Sequence, residues 1–184
     1  MYPRHITLPD GTYLLRPLNP DDAGRLQAFF YSHTPESIHL RYGYMVTQMS
    51  GERAHELTGV DQTRDSALAL FEEAAAGPVI HAVARYCLDA DTRSAEIAFI
   101  VRESKQGNGM ASLLVRELVA TARERGLDSV WAQVLRENTG ALGLLAKLGF
   151  KKTGVDEGNI VLTLDLKKSP TARASRKPPA KKRK

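Results

Sequence analysis

The sequence is poor in the residues that define several classes of protein. Its one cysteine, Cys87, excludes a disulfide scaffold and a cysteine-rich zinc site. No apolar run approaches the ~18 residues of a membrane-spanning helix, and residues 1–20 lack the apolar segment of a signal peptide. The five histidines show no metal-ligand spacing. These absences favour a reduced, soluble, cytoplasmic protein with no metal site and no membrane contact.

The positive charge of the chain is confined to its C-terminal end. Residues 167–184 hold nine of the 26 lysines and arginines and none of the 21 acids, so the other 166 residues have a net charge of −4. This segment has no Leu, Ile, Val or aromatic residue, and it cannot bury enough apolar surface to offset its ordering entropy. We therefore predict one domain over residues 1–166 and a disordered basic tail over residues 167–184.

The tail has three interpretations. In the first, it makes weak, salt-sensitive contacts with nucleic acid or an acidic partner. In the second, it is a solvated extension, and in the third, its lysines are self-acetylation targets. No aromatic residue lies between the charges, so base stacking has no platform. The solvated interpretation is the simpler one.

The hydrophobic pattern of the remaining chain predicts an α/β (α+β) fold, with a mixed sheet and helices on its faces. Asn19 before Pro20, and Ser50 before a helical segment, are typical of helix starts. The predicted strands cover residues 12–17, 66–71, 79–88, 94–101, 129–135, 151–154 and 159–166. The predicted helices cover residues 19–31, 35–42, 51–57, 109–125 and 138–148.

The most informative segment is a glycine-containing loop between a strand and a helix. Gln106-Gly107-Asn108-Gly109-Met110-Ala111 follows the predicted strand over residues 94–101. Small residues let a ligand approach the backbone, and the first N–H groups of a helix have no internal partner. Together they make a site for an anion such as a pyrophosphate. The loop has neither the GxGxxG spacing nor a Gly-Lys-Ser/Thr, and its simpler interpretation is a turn that uses glycine.

Two motifs in this order resemble the GNAT superfamily of acetyl-CoA-dependent N-acetyltransferases. Gln106, Gly109 and Ala111 match its Gln/Arg-x-x-Gly-x-Gly/Ala signature after a central strand. The second motif, an asparagine-containing helix that ends in Lys-x-Gly-Phe, is matched by Asn138, Ala141, Leu144, Lys147, Gly149 and Phe150. The resemblance covers about residues 12–166. It implies a mostly antiparallel sheet in which a splayed pair of strands holds the cofactor.

The resemblance also implies a binding site for acetyl-CoA, which would serve as cosubstrate. The backbone of Phe99, Ile100 and Val101 should line the pantetheine arm. The pyrophosphate should lie against Gln106, Gly107, Asn108, Gly109, Met110 and Ala111. Asn138 should lie near the cofactor, on the far side of the splayed gap.

A narrower resemblance concerns the acceptor. The segment with Pro35, Glu36, Ser37, Arg41 and Tyr42 resembles the acetyltransferase domain of bacterial protein lysine acetyltransferases. It favours a protein lysine as the acceptor. A small-molecule amine is the first alternative, and a catalytically idle domain that binds CoA or a partner and is tethered by its basic tail is the second.

Glu96 is the candidate general base. It is the one acid on an apolar strand that leads to the cofactor loop, and GNAT enzymes often place a catalytic Glu there. A lysine-like ammonium has a pKa of ~10.4, so forming the neutral amine at pH 7 costs about 4.6 kcal/mol, and a base removes that proton where it is needed. The alternative is a solvated or salt-bridged glutamate.

The general acid and the role of Cys87 stay open. The family often has a tyrosine on the asparagine-containing helix to protonate the leaving thiolate, and Leu145 occupies the aligned position. Either Tyr42 or water serves instead, or the thiolate leaves without a dedicated acid. Cys87, on an apolar strand, is either a covalent acyl carrier or, more simply, a core residue.

Overall fold

The computed structural model describes residues 2–89 and 91–167. The predicted tail, apart from Lys167, lies outside these residues. The strands are β1 (Arg4–Leu8), β2 (Gly11–Pro17), β3 (Ser66–Glu72), β4 (Val79–Leu88), β5 (Ser94–Val101), β6 (Ser129–Val134), β7 (Lys151–Asp156) and β8 (Asn159–Asp165). The helices are α1 (Ala23–Tyr31), α2 (Pro35–Tyr42), α3 (Gly51–Thr58), α4 (Met110–Glu124) and α5 (Thr139–Lys147), with short 3-10 turns at Pro20–Asp22 and Glu103–Lys105.

The strands form one mixed sheet in the order β1-β2-β3-β4-β5-β6-β8-β7. Every neighbouring pair is antiparallel except β5 and β6, which are parallel. The predicted α+β fold with a mostly antiparallel sheet is therefore confirmed. A parallel pair needs a crossover connection, and α4 supplies it.

The two faces of the sheet bury different sets of apolar side chains. One face packs against α4 and α5, through residues such as Leu70, Leu118 and Leu145. The other packs against α1, α2 and α3, through residues such as Phe29 and Phe71. Alternate residues of β3 serve the two cores, as the period of two in a strand requires. The second core holds α2 and α3 beside β4 and β5, where the site lies.

Most predicted elements are confirmed to within a few residues, because their ends carry local signals. Thr34, for example, accepts from the backbone N–H of Ser37 at 3.2 Å and begins α2, and Gly43, with φ of 79°, ends it. The prediction missed β1, an edge strand of five residues that pairs only with β2. Its sequence alternates weakly, so this strand depends on the tertiary partner.

Candidate active site

The parallel strands β5 and β6 diverge after three residue pairs. Ser94, Ala95 and Glu96 pair with Ser129, Val130 and Trp131. Beyond these residues β5 continues to Val101 and β6 to Val134, but the two strands no longer pair with each other. The gap between them is about 220 Å³ and is lined mainly by small or apolar side chains, which include Ala98, Phe99 and Ala132. The divergence leaves one edge of β5 open to a ligand.

A glycine cradle lies at the end of this gap. Gly107 and Gly109 have φ of 81° and 88°, a backbone conformation that favours glycine. Gly109 is the N-cap of α4 and no side chain caps this end, so the first N–H groups of the helix face a groove of about 740 Å³. Apart from the adjoining residues, no atom of the described chain lies within 4 Å of a Cβ built at Gly107 or Gly109. The open backbone and the positive end of the helix dipole fit a pyrophosphate.

Nine of the ten cofactor residues predicted from the sequence line this groove. They are Phe99, Ile100, Val101, Gln106, Gly107, Gly109, Met110, Ala111 and Asn138. The tenth, Asn108, does not line it, and its amide donates to the carbonyl of Lys105 at 3.5 Å. Gln106 also serves the loop, because its side chain donates to the carbonyl of Val101 at 3.2 Å.

Asn138 connects the two sides of the gap. Its side-chain oxygen accepts from the backbone N–H of Ala141 at 3.1 Å and so begins α5. Its amide group donates to the carbonyl of Leu40 in α2 at 3.4 Å. Asn138 thus fixes α5 to α2 across the space where the predicted cofactor passes.

A polar cluster that the sequence analysis missed holds the cradle against the sheet. The ammonium of Lys105 donates to the hydroxyl of Tyr13 at 2.8 Å and lies 3.3 Å from Asp10 and 3.9 Å from Glu72. The hydrogen bond with Tyr13 raises the pKa of Lys105. The cluster anchors the loop that leads into the cradle, so its role is to position the backbone.

Glu103 joins the same loop to the start of α2. Its carboxylate accepts from the backbone N–H and the hydroxyl of Thr34 at 2.9 Å and 3.2 Å. Partial burial raises its pKa, but hydrogen bonds from Ser37 and the backbone of Thr34 outweigh this and lower the pKa to about 2. Glu103 therefore joins the loop before the cradle to the N-terminus of α2.

The Glu103 contact gives a pH-dependent prediction. The folded pKa lies below the ordinary value of 4.5, so the stabilisation is complete above pH 4.5 and is lost as the pH falls towards 2. Because Glu103 is half exposed, we expect Glu103→Gln to lower the free energy of unfolding by about 1 kcal/mol or less at pH 7. Urea denaturation should show a difference from wild type that shrinks between pH 4.5 and pH 2. A constant difference would contradict this account.

Glu96 lies where the gap between β5 and β6 meets a second cavity. It lines both spaces, together with Arg41, Tyr42 and Ala98. Its side chain is half buried, and it forms no hydrogen bond or ion pair with another described residue. The alternative of a salt-bridged glutamate is therefore wrong for the described part of the chain.

The second cavity is about 250 Å³ and lies between α1–α3 and the strands β4 and β5. Apolar walls from residues such as Phe29 and Ile38 surround a few polar groups. Three of these groups, His33, Arg53 and Arg85, were not singled out in the sequence. Arg85 could have been found by the rule that selected Glu96, because it is a charged residue within an otherwise apolar strand.

The structure corrects the interpretation of Cys87 as a core residue. Cys87 is exposed and pairs in register with Glu96, so it lies on the face of β4 that lines the second cavity. The strand Val79–Leu88 is rich in apolar residues, but Cys87 shares its face with Arg85 and lines the cavity instead of the core. Desolvation by its surroundings raises the pKa of the thiol, which disfavours the thiolate that an acyl carrier needs.

Leu145 does not face the gap. It is fully buried in the core against the sheet, and α5 presents Ala141 and Leu144 to the cofactor groove instead. Tyr42, by contrast, lines the gap and the second cavity, and Tyr44 joins it at the gap. Tyr42 and Tyr44, from α2 and the loop after it, therefore line the same gap as Glu96.

The described residues hold no group of three or more His, Cys, Asp or Glu side chains placed to bind a metal ion. None of the described helices is both long enough and apolar enough to cross a membrane.

A split sheet with an uncapped helix N-terminus at the end of the gap has the free N–H groups and the groove to bind a long ligand that carries a pyrophosphate. The chain belongs to the family described as Acetyltransferase (GNAT) domain, whose sequence model matches residues 13–151. It is therefore an acetyltransferase, and acetyl-CoA is its acyl donor.

Three known proteins illustrate the similarity. The GNAT domain of S. lividans PAT is 30% identical, with a TM-score of 0.79 over 90% of this chain and 99% of that one. Acetyltransferase Pat of Mycolicibacterium smegmatis is 28% identical over 84% of this chain, which spans 46% of the length of Pat. The protein yncA of Salmonella typhimurium, solved with acetyl-CoA, shares the fold at 19% identity, with a TM-score of 0.68 over 88% of this chain and 98% of that one.

Proposed function

We propose that the chain transfers the acetyl group of acetyl-CoA to a primary amine, with a lysine side chain of a protein as the acceptor. The observation that carries the proposal is the position of Glu96, whose unpaired carboxylate lies where the donor gap meets the second cavity. A donor held in the gap and an acceptor held in the second cavity would meet at this residue.

The glycine cradle supports a fixed position for the donor. The N–H groups at the start of α4 would hold the pyrophosphate, and the open edge of β5 beyond Glu96 offers backbone groups to the pantetheine amides. Phe99 and Ala98 would line the path of the thioester to Glu96. The residues proposed to contact the pyrophosphate, the pantetheine arm and the thioester either belong to the two sequence motifs or lie next to residues predicted from them.

The proposed chemistry needs one proton acceptor and one proton donor. Glu96 takes one proton from the bound ammonium, and the neutral nitrogen then attacks the thioester carbonyl, so that a C–N bond forms and the C–S bond breaks. The nitrogen loses its second proton to the group that protonates the thiolate. The CoA thiolate leaves and is protonated by Tyr42 or by water. Tyr42 is half buried and lines the gap, which is the space from which the thiolate would depart.

A protein lysine is favoured by the similarity to the PAT proteins and by the segment around α2. Pro35, Glu36, Ser37 and Arg41 lie on this helix; Glu36 and Ser37 line the donor groove, and Arg41 lines both the groove and the second cavity. A small-molecule amine is the second candidate, because the second cavity is of a size for a small ligand.

An acceptor panel tests the proposal. The full chain is incubated with acetyl-CoA and either lysine-containing peptides and proteins or free amines, and thiol release and amide formation are measured. Acetyl-lysine in the peptide and protein arm, at rates above the free amines, is the expected result. Thiol release without amide formation in either arm would contradict the proposal.

Gly109→Ala should weaken donor binding. The φ of 88° costs a non-glycine residue about 1–2 kcal/mol, and the new Cβ would enter the open space of the cradle. We expect the Kd for acetyl-CoA, measured by calorimetry, to rise about 10-fold. Gly24→Ala is the matched control, because Gly24 lies in α1 with ordinary φ and free space around it. Equal affinity in Gly109→Ala and wild type would exclude this loop as the donor site.

A further inference from the structure

The second cavity beside Glu96 carries an excess of positive charge. Arg41, Arg53 and Arg85 line it, and Glu96 is the one carboxylate among its lining residues. Arg53 is neutralised at the rim, where its guanidinium lies 2.8 Å from Glu56. Arg41 and Arg85 therefore face a single negative charge.

Neither of these two guanidiniums has an ion-pair partner among the described residues. Arg85 donates to the carbonyl of Leu57 at 2.6 Å, and Arg41 lies over the ring of Tyr42 at 4.9 Å from its centroid. Burial lowers the pKa of both groups, and the charge of Arg41 lowers that of Arg85 further. Arginine keeps its proton in proteins, so two partly desolvated cations remain side by side.

The other titratable groups of the cavity do not compensate this charge. Burial lowers the pKa of His33, which favours the neutral ring. Its Nδ1 donates to the carbonyl of Phe29 at 2.7 Å, so its buried and unpartnered Nε2 is an acceptor. Desolvation raises the pKa of the Cys87 thiol, which stays neutral.

The strand register places the two kinds of charge at a defined separation. Glu96 pairs with Cys87 and Ala98 pairs with Arg85, so Glu96 and Arg85 are diagonal neighbours on one face of β4 and β5. Diagonal neighbours of an antiparallel pair are ~7–8 Å apart at the backbone. A small molecule with a cationic and an anionic end can contact both side chains.

We propose that the acceptor amine carries a carboxylate a few bonds away, which binds to Arg85 and Arg41 while the amine lies at Glu96 and His33. This inference rests on the proposed acetyl transfer to a primary amine and specifies its substrate class. A plain ammonium would enter a cavity that is already positive. An aminocarboxylate brings its own counter-charge and gives the guanidiniums the planar acceptor that they bind in pairs of hydrogen bonds. The carboxylate belongs either to a free amino acid or to an acidic residue beside a lysine in a protein.

A matched pair of acceptors tests the charge requirement. γ-Aminobutyrate and γ-aminobutyramide differ only in the carboxylate. We expect kcat/KM of the full chain to be about 10- to 100-fold higher for the acid than for the amide. This ratio corresponds to the free energy of a hydrogen bond to a charged group. Arg85→Gln should reduce the ratio to near one and Arg85→Lys should restore part of it. The control, Arg123→Gln, alters an exposed residue of α4 away from the site and should keep the ratio.

A peptide pair distinguishes the two sources of the carboxylate. Blocked Asp-Lys and Asn-Lys peptides are compared in the same assay. If Asp-Lys is preferred to Asn-Lys but γ-aminobutyrate is not preferred to its amide, the acceptor is a lysine beside an acidic residue. If γ-aminobutyrate is preferred to its amide but the two peptides react equally, the acceptor is a free aminocarboxylate. Both results support the inference. Equal rates within both pairs, or a preference that Arg85→Gln leaves intact, would overturn it.

Product binding separates this inference from the proposed transfer. N-acetyl-γ-aminobutyrate and its amide are titrated into wild type and Arg85→Gln by calorimetry. If the acid binds about 10-fold more tightly than the amide in wild type but not in Arg85→Gln, the anion site is supported. This result would support the anion site even if no amine is acetylated, and only the proposed transfer would then be wrong. Equal binding of acid and amide would overturn the anion site even if amines are acetylated.

Discussion

Glu96→Gln is expected to lower kcat about 10²–10⁴-fold at pH 7 while leaving the Kd for acetyl-CoA unchanged, because it removes the base and keeps the shape of the side chain. The residue lines the meeting point of two cavities and has no hydrogen bond or ion pair in the described structure, so its loss breaks no structural contact. The stability of the variant should therefore equal that of wild type.

The pH dependence of this variant separates a base from a binding residue. If Glu96 removes the proton, the variant depends on amine that is already neutral in solution. Its kcat/KM should then rise about 10-fold per pH unit towards the amine pKa of ~10.4. Glu73→Gln is the matched control, because Glu73 is an exposed glutamate that does not line the cavities described above. A Glu96→Gln variant with wild-type kcat would rule out the base.

The second large effect is on stability. Asp22 is fully buried, and its carboxylate accepts from Arg16 at 2.6 Å and 2.8 Å, from Arg25 at 3.2 Å and from the backbone N–H of Asn19 at 3.1 Å. Asp22→Asn leaves Arg16 with no counter-charge against the ring of Phe71. We expect the free energy of unfolding to fall by about 3–5 kcal/mol.

The Asp22 effect also has a defined pH window. Burial raises the pKa of Asp22, but the hydrogen bonds from Arg16 and Asn19 and the charges of Arg16 and Arg25 lower it below the ordinary value of 3.8 overall. The stabilisation is therefore complete above that value and is lost as the pH falls through the folded pKa. Urea denaturation of wild type and Asp22→Asn should show a large difference at pH 7 that shrinks in acid. Asp21→Asn, at the exposed neighbour, should change stability by less than about 0.5 kcal/mol.

Asp22 shows which features of a residue a local sequence pattern predicts and which depend on tertiary packing. The sequence predicts Asn19, Pro20 and Asp22 as a helix start, and Asn19 and Asp22 do form a capping box. It gives no sign that Asp22 is buried and joined to Arg16 on β2, because that contact depends on the packing of the helix against the sheet. The same holds for Glu103 and Thr34, which are 69 residues apart in the sequence and form one contact.

The sequence by itself determined every helix and every strand except β1, together with the glycine cradle and the place of Glu96 on β5. Each of these depends on signals within a few residues: alternation along a strand, glycine where φ is positive, and a lone charge in an apolar run. Only the tertiary structure decided which charges share a cavity. Arg41 on α2 and Arg85 on β4 come from distant parts of the chain. The cavity has more positive than negative charge because α2 packs on the face of the sheet that carries Arg85 and Glu96. Cys87 changed from a predicted core residue to an exposed one for the same reason, since burial depends on which strand face a helix covers.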